Sequence, residues 1–314
     1  MNYSRPEQIK RCFDASQELR VTNQNYRRMV LSLFENLLAT DSTGGDVSQH
    51  PAQYFRQKCR AVIKSKSPAV IAGLAEIQTF LNRKGLKSES KFIDGDQVKD
   101  NDIVLTIHGR SGQILLLERT ILNILQRLSG IATITAQYTQ AIGGLPCFVA
   151  ATRKTLWGAL DKSALQYGGG LTHRLNLSDA AMLKENHLAI LKKSGDPQAL
   201  RNTLKAIAAI EPPLSFVEVE VTNADEFRQV VDIYKTITDD IELVIMFDHF
   251  NPANIQRLIE ATRNEGAYPR ILFEASGNIT LETIRDYAAS GVDVISIGAL
   301  THSVKSADFS LLIN

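Results

Sequence analysis

From residue 147 onward the sequence repeats one pattern: a short apolar run, closed by a polar residue or glycine and followed by helical sequence. The runs lie at residues 147–152, 180–184, 216–220, 243–248, 271–274 and 294–298. Strands buried on both faces of a parallel sheet read as near-continuous Val, Ile and Leu, which fits every run except the third. Successive β/α crossovers of this kind imply a parallel sheet. No G-x-G-x-x-G motif opens a first βα turn, so a dinucleotide fold is disfavoured. The expected class is α/β, with an open parallel α/β barrel as the second domain.

In such barrels the chemistry gathers at the C-terminal ends of the strands. In chain order these ends carry Thr152, Arg153 and Lys154; Lys184, Glu185 and Asn186; Glu220; Asp248 and His249; Glu274, Ser276, Gly277 and Asn278; and Gly298. The first two supply cations and the next two carboxylates, so a basic half is expected to face an acidic half. Gly277-Asn278 and Gly298-Ala299 precede stretches expected to be helical, residues 280–289 and the Leu300 region, which offers backbone N–H groups to a phosphate. Glu218 and Glu220 share one side of their strand because side chains alternate with period two. If Val217, Val219 and Val221 face the helices, both glutamates point inward, Glu218 toward a deeper basic partner and Glu220 toward the mouth.

Arg153, Lys154, His173, Arg174 and Lys184 all fall within residues 151–187 of a chain whose net charge is only +1. Charge this local points to a small anionic ligand, whereas a nucleic-acid binder spreads its excess over a face. Simple solvation of these residues is the other reading. Three scattered cysteines support neither a disulfide framework nor a zinc site, and a reducing cytoplasm is the expected compartment. No leader-like opening and no apolar run of membrane-spanning length is read, so no anchoring is expected.

The first part of the chain reads as an α+β unit. Residues 23–39 have an amphipathic helical period, residues 59–66 and 68–73 are β-like, residues 74–83 helical, and residues 103–108 another strand. Residues 114–142 form the longest helical candidate, with a break suggested at Gly130; it carries Arg119 and Arg127 on roughly one face. The expected division is an α/β sandwich domain over residues 1–115, a barrel over 116–300, and a segment 301–314 that packs back on the first domain.

Several motifs in this order resemble the quinolinate phosphoribosyltransferases. They are Gly45-Asp46-Val47-Ser48, Glu118-Arg119-Thr120, the run from Leu128 to Thr133, Thr152-Arg153-Lys154-Thr155, Gly168-Gly169-Gly170 with His173-Arg174, Lys184 to His187, Val217-Glu218-Val219-Glu220, Asp248-His249-Phe250, Glu274-Ala275-Ser276-Gly277 and Ile295-Ser296-Ile297-Gly298. The resemblance implies that quinolinate and phosphoribosyl pyrophosphate are converted to nicotinate mononucleotide, pyrophosphate and CO2 with Mg2+, toward NAD. It further implies a homodimer or multiple of dimers with shared sites and no nucleic-acid or membrane partner. Arg119 of a neighbouring subunit, Thr152, Arg153, His173, Arg174 and Lys184 would hold quinolinate. Lys154, Glu220, Asp248, Ser276, Gly277, Asn278 and Gly298 would hold phosphoribosyl pyrophosphate, with Glu220 and Asp248 at the metal and Lys154, Lys184, Glu220 and Asp248 in catalysis.

The chain departs from that pattern in places. Leu156-Trp157-Gly158 stands where many relatives have Thr-Pro-Gly in a loop about two residues longer, and Glu185, His249 and Asn278 stand where aspartate, asparagine and glycine are common. Two other readings are a same-fold relative of the molybdenum-transport-associated type and a non-catalytic descendant.

Overall fold

A computed structural model describes residues 3–49, 52–212, 214–237, 241–264 and 271–313; Met1, Asn2 and Asn314 of the expected terminal segments lie outside the described residues. In chain order the elements are α1 (Arg5–Phe13), α2 (Gln24–Asp41), β1 (Lys58–Ser65), β2 (Ala69–Val70), α3 (Leu74–Arg83), β3 (Lys87–Glu89), β4 (Gln97–Val98), β5 (Ile103–Arg110) and α4 (Ser111–Ala141). There follow β6 (Phe148–Ala150), α5 (Ala159–Tyr167), β7 (Ala181–Leu183), α6 (Glu185–Lys193), α7 (Ala199–Ala208), β8 (Val217–Val221), α8 (Ala224–Tyr234) and β9 (Leu243–Asp248). The chain closes with α9 (Pro252–Asn264), β10 (Ile271–Ser276), α10 (Ile284–Ala289), β11 (Val294–Ser296), α11 (Ala299–His302) and β12 (Phe309–Ile313).

Two compact units share these elements, and neither is continuous. One comprises residues 1–15, 138–153 and 171–298; the other comprises residues 16–137, 154–170 and 299–314. The boundaries expected from sequence, 1–115, 116–300 and 301–314, are contiguous and so differ in form. The first fifteen residues belong with the parallel sheet because α1 buries Ile9, Cys12 and Phe13 in one cluster with Ala180, Phe216, Val244, Leu272 and Val294. Those partners stand at or near the N-terminal ends of their strands, so α1 covers that end of the sheet. Phe13 stacks on Phe216 at 5.2 Å, and its carbonyl accepts the His173 N–H at 2.8 Å.

The sheet of this unit has the order β6-β11-β10-β9-β8-β7, with every pairing parallel. Each expected apolar run supplies one strand. Leu171 bridges in parallel to Ala150 outside β6. Arg174 then donates from Nη1 to the carbonyl of Ala180 beside β7, at 3.0 Å, so residues 171–174 span from one edge strand toward the other. This is the open parallel α/β barrel that the strand pattern predicts. Strand alternation puts Val217, Val219 and Val221 on the helix side, all buried, and sends Glu218 and Glu220 inward.

In the other unit a four-stranded antiparallel sheet, β12-β1-β5-β3, carries the C-terminal strand on its edge, with Ala61 opposite Ile313 and Ser65 opposite Phe309. Helix α4 runs through Gly130 without the break expected there. A Cβ at Gly130 would lie 2.4 Å from the Lys305 carbonyl, so the glycine permits close approach of the chain before β12. A second correction concerns the end of β10: helix α10 starts at Ile284 instead of residue 280. Thr280 N–H is capped by Thr283 Oγ1 at 3.0 Å, which makes residues 280–283 a turn.

Candidate active site

The inward residues of the parallel sheet become more polar toward the C-terminal strand ends. Register sets Glu218 beside Val244, Glu220 beside Met246, and Asp248 beside Ser276. At the mouth, Lys184 Nζ donates to Glu220 Oε2 at 2.9 Å, from the end of β7 to the end of β8. Lys184 immediately precedes α6, and its N–H is accepted by His187 Nδ1 at 3.1 Å. On the next strand Asp248 Oδ2 lies 2.9 Å from His249 Nδ1. Thr152 and Arg153 follow β6, with Arg153 exposed.

Ser276, Gly277 and Asn278 form a tight turn after β10. Gly277 and Asn278 have φ of 101° and 51°, and a Cβ on Gly277 would press within 2.8 Å of the His249 ring. With α10 beginning later, the donors that this turn can offer a phosphate are its own backbone N–H groups, without a helix N-terminus. Gly298 follows β11. The unit thus brings together Thr152, Arg153, Lys184, Glu220, Asp248, Ser276, Gly277, Asn278 and Gly298 as a set of strand-end residues. Lys154 and Arg119 lie in the other unit, where both are exposed.

His173 and Arg174 sit deeper. The imidazole is 4% exposed and makes edge contacts with Phe13 at 4.9 Å and Phe216 at 5.8 Å. Its Nδ1 accepts the Arg174 backbone N–H at 2.7 Å. Its Nε2 lies 3.4 Å from Glu218 Oε2 and 3.2 Å from Glu274 Oε2, both carboxylates being fully buried. Nδ1 is thus engaged by the backbone, while Nε2 faces two buried carboxylates whose oxygens have no hydrogen-bond partner among the described residues. Burial, and then the Glu274 carboxylate, push Glu218 well above the usual carboxylate range. Arg174 donates to the Ala180 carbonyl and toward Met182 Sδ, and its burial lowers its pKa against the opposing pull of Glu218.

Two groupings are candidates for a cation. One atom each of His173, Glu218 and Glu274 fall within 4.8 Å of one another. A metal-bound imidazole ordinarily donates its second N–H outward, whereas this Nδ1 is an acceptor, so Nε2 carries the ring proton and has no lone pair to offer. Glu220 and Asp248 differ: their side chains are 14% and 27% exposed, and their oxygens lie on adjacent strand ends. Hard, partly solvated oxygen donors suit Mg2+, which keeps most of its waters and binds through one or two carboxylates plus phosphates.

Several long-range pairings are not legible in the sequence. Arg127, placed by sequence on the long helix without a partner, grips the buried Asp161 through two hydrogen bonds, at 2.9 and 2.7 Å. Tyr26 Oη hydrogen-bonds to Glu76 Oε1 and to Ser163 Oγ, each at 2.8 Å. The signal for such pairs is weak, since their members are 34 to 137 positions apart.

Comparison with known proteins gives this geometry a family. The model of the quinolinate phosphoribosyl transferase C-terminal domain matches residues 131–312, and that of the N-terminal domain matches residues 46–129. The chain belongs to the quinolinate phosphoribosyltransferase family. A probable nicotinate-nucleotide pyrophosphorylase [carboxylating] of Methanocaldococcus jannaschii is 36% identical over 288 residues, covering 90% of this chain and 96% of its own. A protein of the same name from Bacillus subtilis is 32% identical, covering 89% and 91%. The solved nicotinate-nucleotide pyrophosphorylase of Francisella tularensis superposes with a TM-score of 0.78 at 30% identity, over 92% of this chain and 97% of that one. As a member of the quinolinate phosphoribosyltransferase family the chain is an enzyme, a phosphoribosyltransferase.

Proposed function

We propose that the enzyme transfers the phosphoribosyl group of phosphoribosyl pyrophosphate to quinolinate, releasing pyrophosphate and CO2 and giving nicotinate mononucleotide for NAD synthesis. The observation that carries this reading is the convergence of Lys184, Glu220 and Asp248 on three adjacent strand ends, with Arg174 buried beneath them, in a chain of this family.

A dianion needs paired cations, and guanidinium suits a carboxylate best because its planar fork meets both oxygens. Thr152, Arg153, Arg174 and Lys184 take the two carboxylates in this proposal, and Arg119 of a neighbouring subunit completes the set. His173 serves the pocket through the Arg174 N–H that it accepts. The turn Ser276-Gly277-Asn278 and Gly298 take the 5'-phosphate, and Lys154 takes the pyrophosphate side. Departure of pyrophosphate leaves positive charge at the ribose carbon, which the carboxylates of Glu220 and Asp248 stabilise. Glu220 and Asp248 would also hold Mg2+, which would supply neutralisation of the leaving group's charge. Once the pyridine nitrogen is quaternised, its positive charge stabilises the electron pair left on the adjacent ring carbon as CO2 departs, and a proton from solvent then takes the place of CO2 on that carbon. The enzyme works as a homodimer or multiple of dimers in the cytoplasm.

Parallel product assays with quinolinate and nicotinate test the reading. A pocket built for two carboxylates leaves cations unpaired when only one arrives, so discrimination by orders of magnitude is expected. Comparable turnover of both acids defeats it. Glu220→Gln and Asp248→Asn should lower single-turnover rate more than quinolinate affinity, since they act on charge that develops in the transition state.

A further inference from the structure

The loop after β6, residues 154–158, is where this chain departs from the family pattern, and it is held almost wholly by polar contacts. Leu156 is 75% exposed, so the loop has little apolar anchorage of its own. Its ties meet at Asp161, in the first turn of α5, which is fully buried. This carboxylate accepts Arg127 Nε at 2.9 Å, Arg127 Nη2 at 2.7 Å, the Trp157 N–H at 3.2 Å and the Thr155 hydroxyl. Arg127 Nη2 also donates to the Thr301 carbonyl at 2.8 Å, and Thr301 Oγ1 donates to the Lys154 carbonyl at 2.7 Å. The Arg127 guanidinium lies 5.2 Å from the centroid of the Trp157 ring. The loop backbone is thereby fixed at both ends, Lys154 and Trp157, while the Lys154 side chain is exposed to solvent.

We infer that Asp161 is a positioning residue that, with Arg127 behind it, sets the 154–158 loop and through it Lys154. The inference rests on the reading above that Lys154 acts in phosphoribosyl transfer. Four donors converge on one carboxylate, and an amide at that position would turn its NH2 against one or more of them. The Arg127–Trp157 contact adds to the Asp161 bonds in holding this loop.

Trp157 is the only tryptophan of the chain, so its fluorescence reports on this loop alone. In the full-length protein, Asp161→Asn should leave far-UV circular dichroism unchanged, shift Trp157 emission to the red and lower its anisotropy. With quinolinate and phosphoribosyl pyrophosphate it should lower kcat by about 10- to 100-fold, the cost of misplacing a working group by around an ångström. In a Lys154→Ala background the same change should cost less than about threefold more, because both act through one group. Unaltered Trp157 fluorescence overturns the inference, and so do losses that multiply in full. If Asp161→Asn does not fold, Thr155→Val removes one of the four donors and should give the same pattern in smaller measure. Absence of quinolinate-dependent product from the wild-type enzyme defeats the reaction assigned above, while the fluorescence still decides whether Asp161 holds the loop.

Discussion

The Nδ1 of His173 accepts the backbone N–H of Arg174 at 2.7 Å, which leaves the ring proton on Nε2, facing Glu218 and Glu274. One local hydrogen bond thus orients the ring, with Nε2 within 3.4 Å of two buried acids whose oxygens have no hydrogen-bond partner among the described residues. Removing the ring leaves a cavity where a buried imidazole now meets Phe13 and Phe216 edge-on. His173→Ala should therefore destabilise the protein by about 3 kcal/mol, the range for a large side chain deleted from a core, read as a lower denaturation midpoint in urea. A change within 0.5 kcal/mol, roughly that of a neutral surface substitution, would contradict this picture.

The covering of the sheet by α1 leads to a second expectation. Phe13 is fully buried, and it stacks on Phe216 while meeting the His173 ring edge-on. Phe13→Ala should cost about 3–5 kcal/mol, the range for a large aromatic deleted from a core. The loss is measurable by chemical denaturation. If α1 were peripheral to the barrel, the cost would resemble that of a surface change.

Glu76 gives a pH dependence. Its burial, then the neighbouring Asp94 carboxylate, raise its pKa from 4.5 to about 7. A raised folded value means that the folded state binds more protons between pH 4.5 and about 7, so stability falls as pH rises through that window. The full difference corresponds to roughly 3 kcal/mol. Glu76→Gln removes the titrating group and keeps an oxygen for Tyr26, so this part of the decline should vanish. Thermal unfolding at pH 5 and pH 8 tests it: the variant should gain on the wild type at pH 8, and an equal gain at both values would rule out Glu76 as the cause.

Under the proposed function, Arg119 completes the pocket of a neighbouring subunit. Arg119→Ala and Lys184→Ala should each be nearly inactive but still assemble. In a mixed dimer, one site would receive intact Arg119 and intact Lys184, and the other would carry both lesions. Activity should reappear on subunit exchange. If each subunit supplies its own Arg119, every site keeps one lesion and no activity returns; heterodimers formed without recovery would reject sharing.

The parallel sheet was legible in the sequence because strand alternation and the continuous apolar character of buried strands are local properties. The six runs each became a strand, and residues 23–39 gave α2. The polarity of the strand ends was equally local, so Lys184, Glu220 and Asp248 could be named before their proximity was known. Family resemblance rested on the same kind of signal, short motifs in a fixed order.

Partners distant in the chain were decided only by the tertiary structure. Nothing around Phe13 says that it will lie against Phe216, and nothing near Asp161 says that Arg127 will close on it. Gly130 reads locally as a helix breaker, yet the helix continues, since its missing Cβ makes room for the chain at Lys305. The same holds for His173, whose neighbours Phe13, Glu218 and Glu274 are all distant in the chain. Periodicity and propensity act over a few residues and fix which elements form. Burial and hydrogen-bond satisfaction act over whatever the folded chain brings together, and they fix what each side chain is free to do.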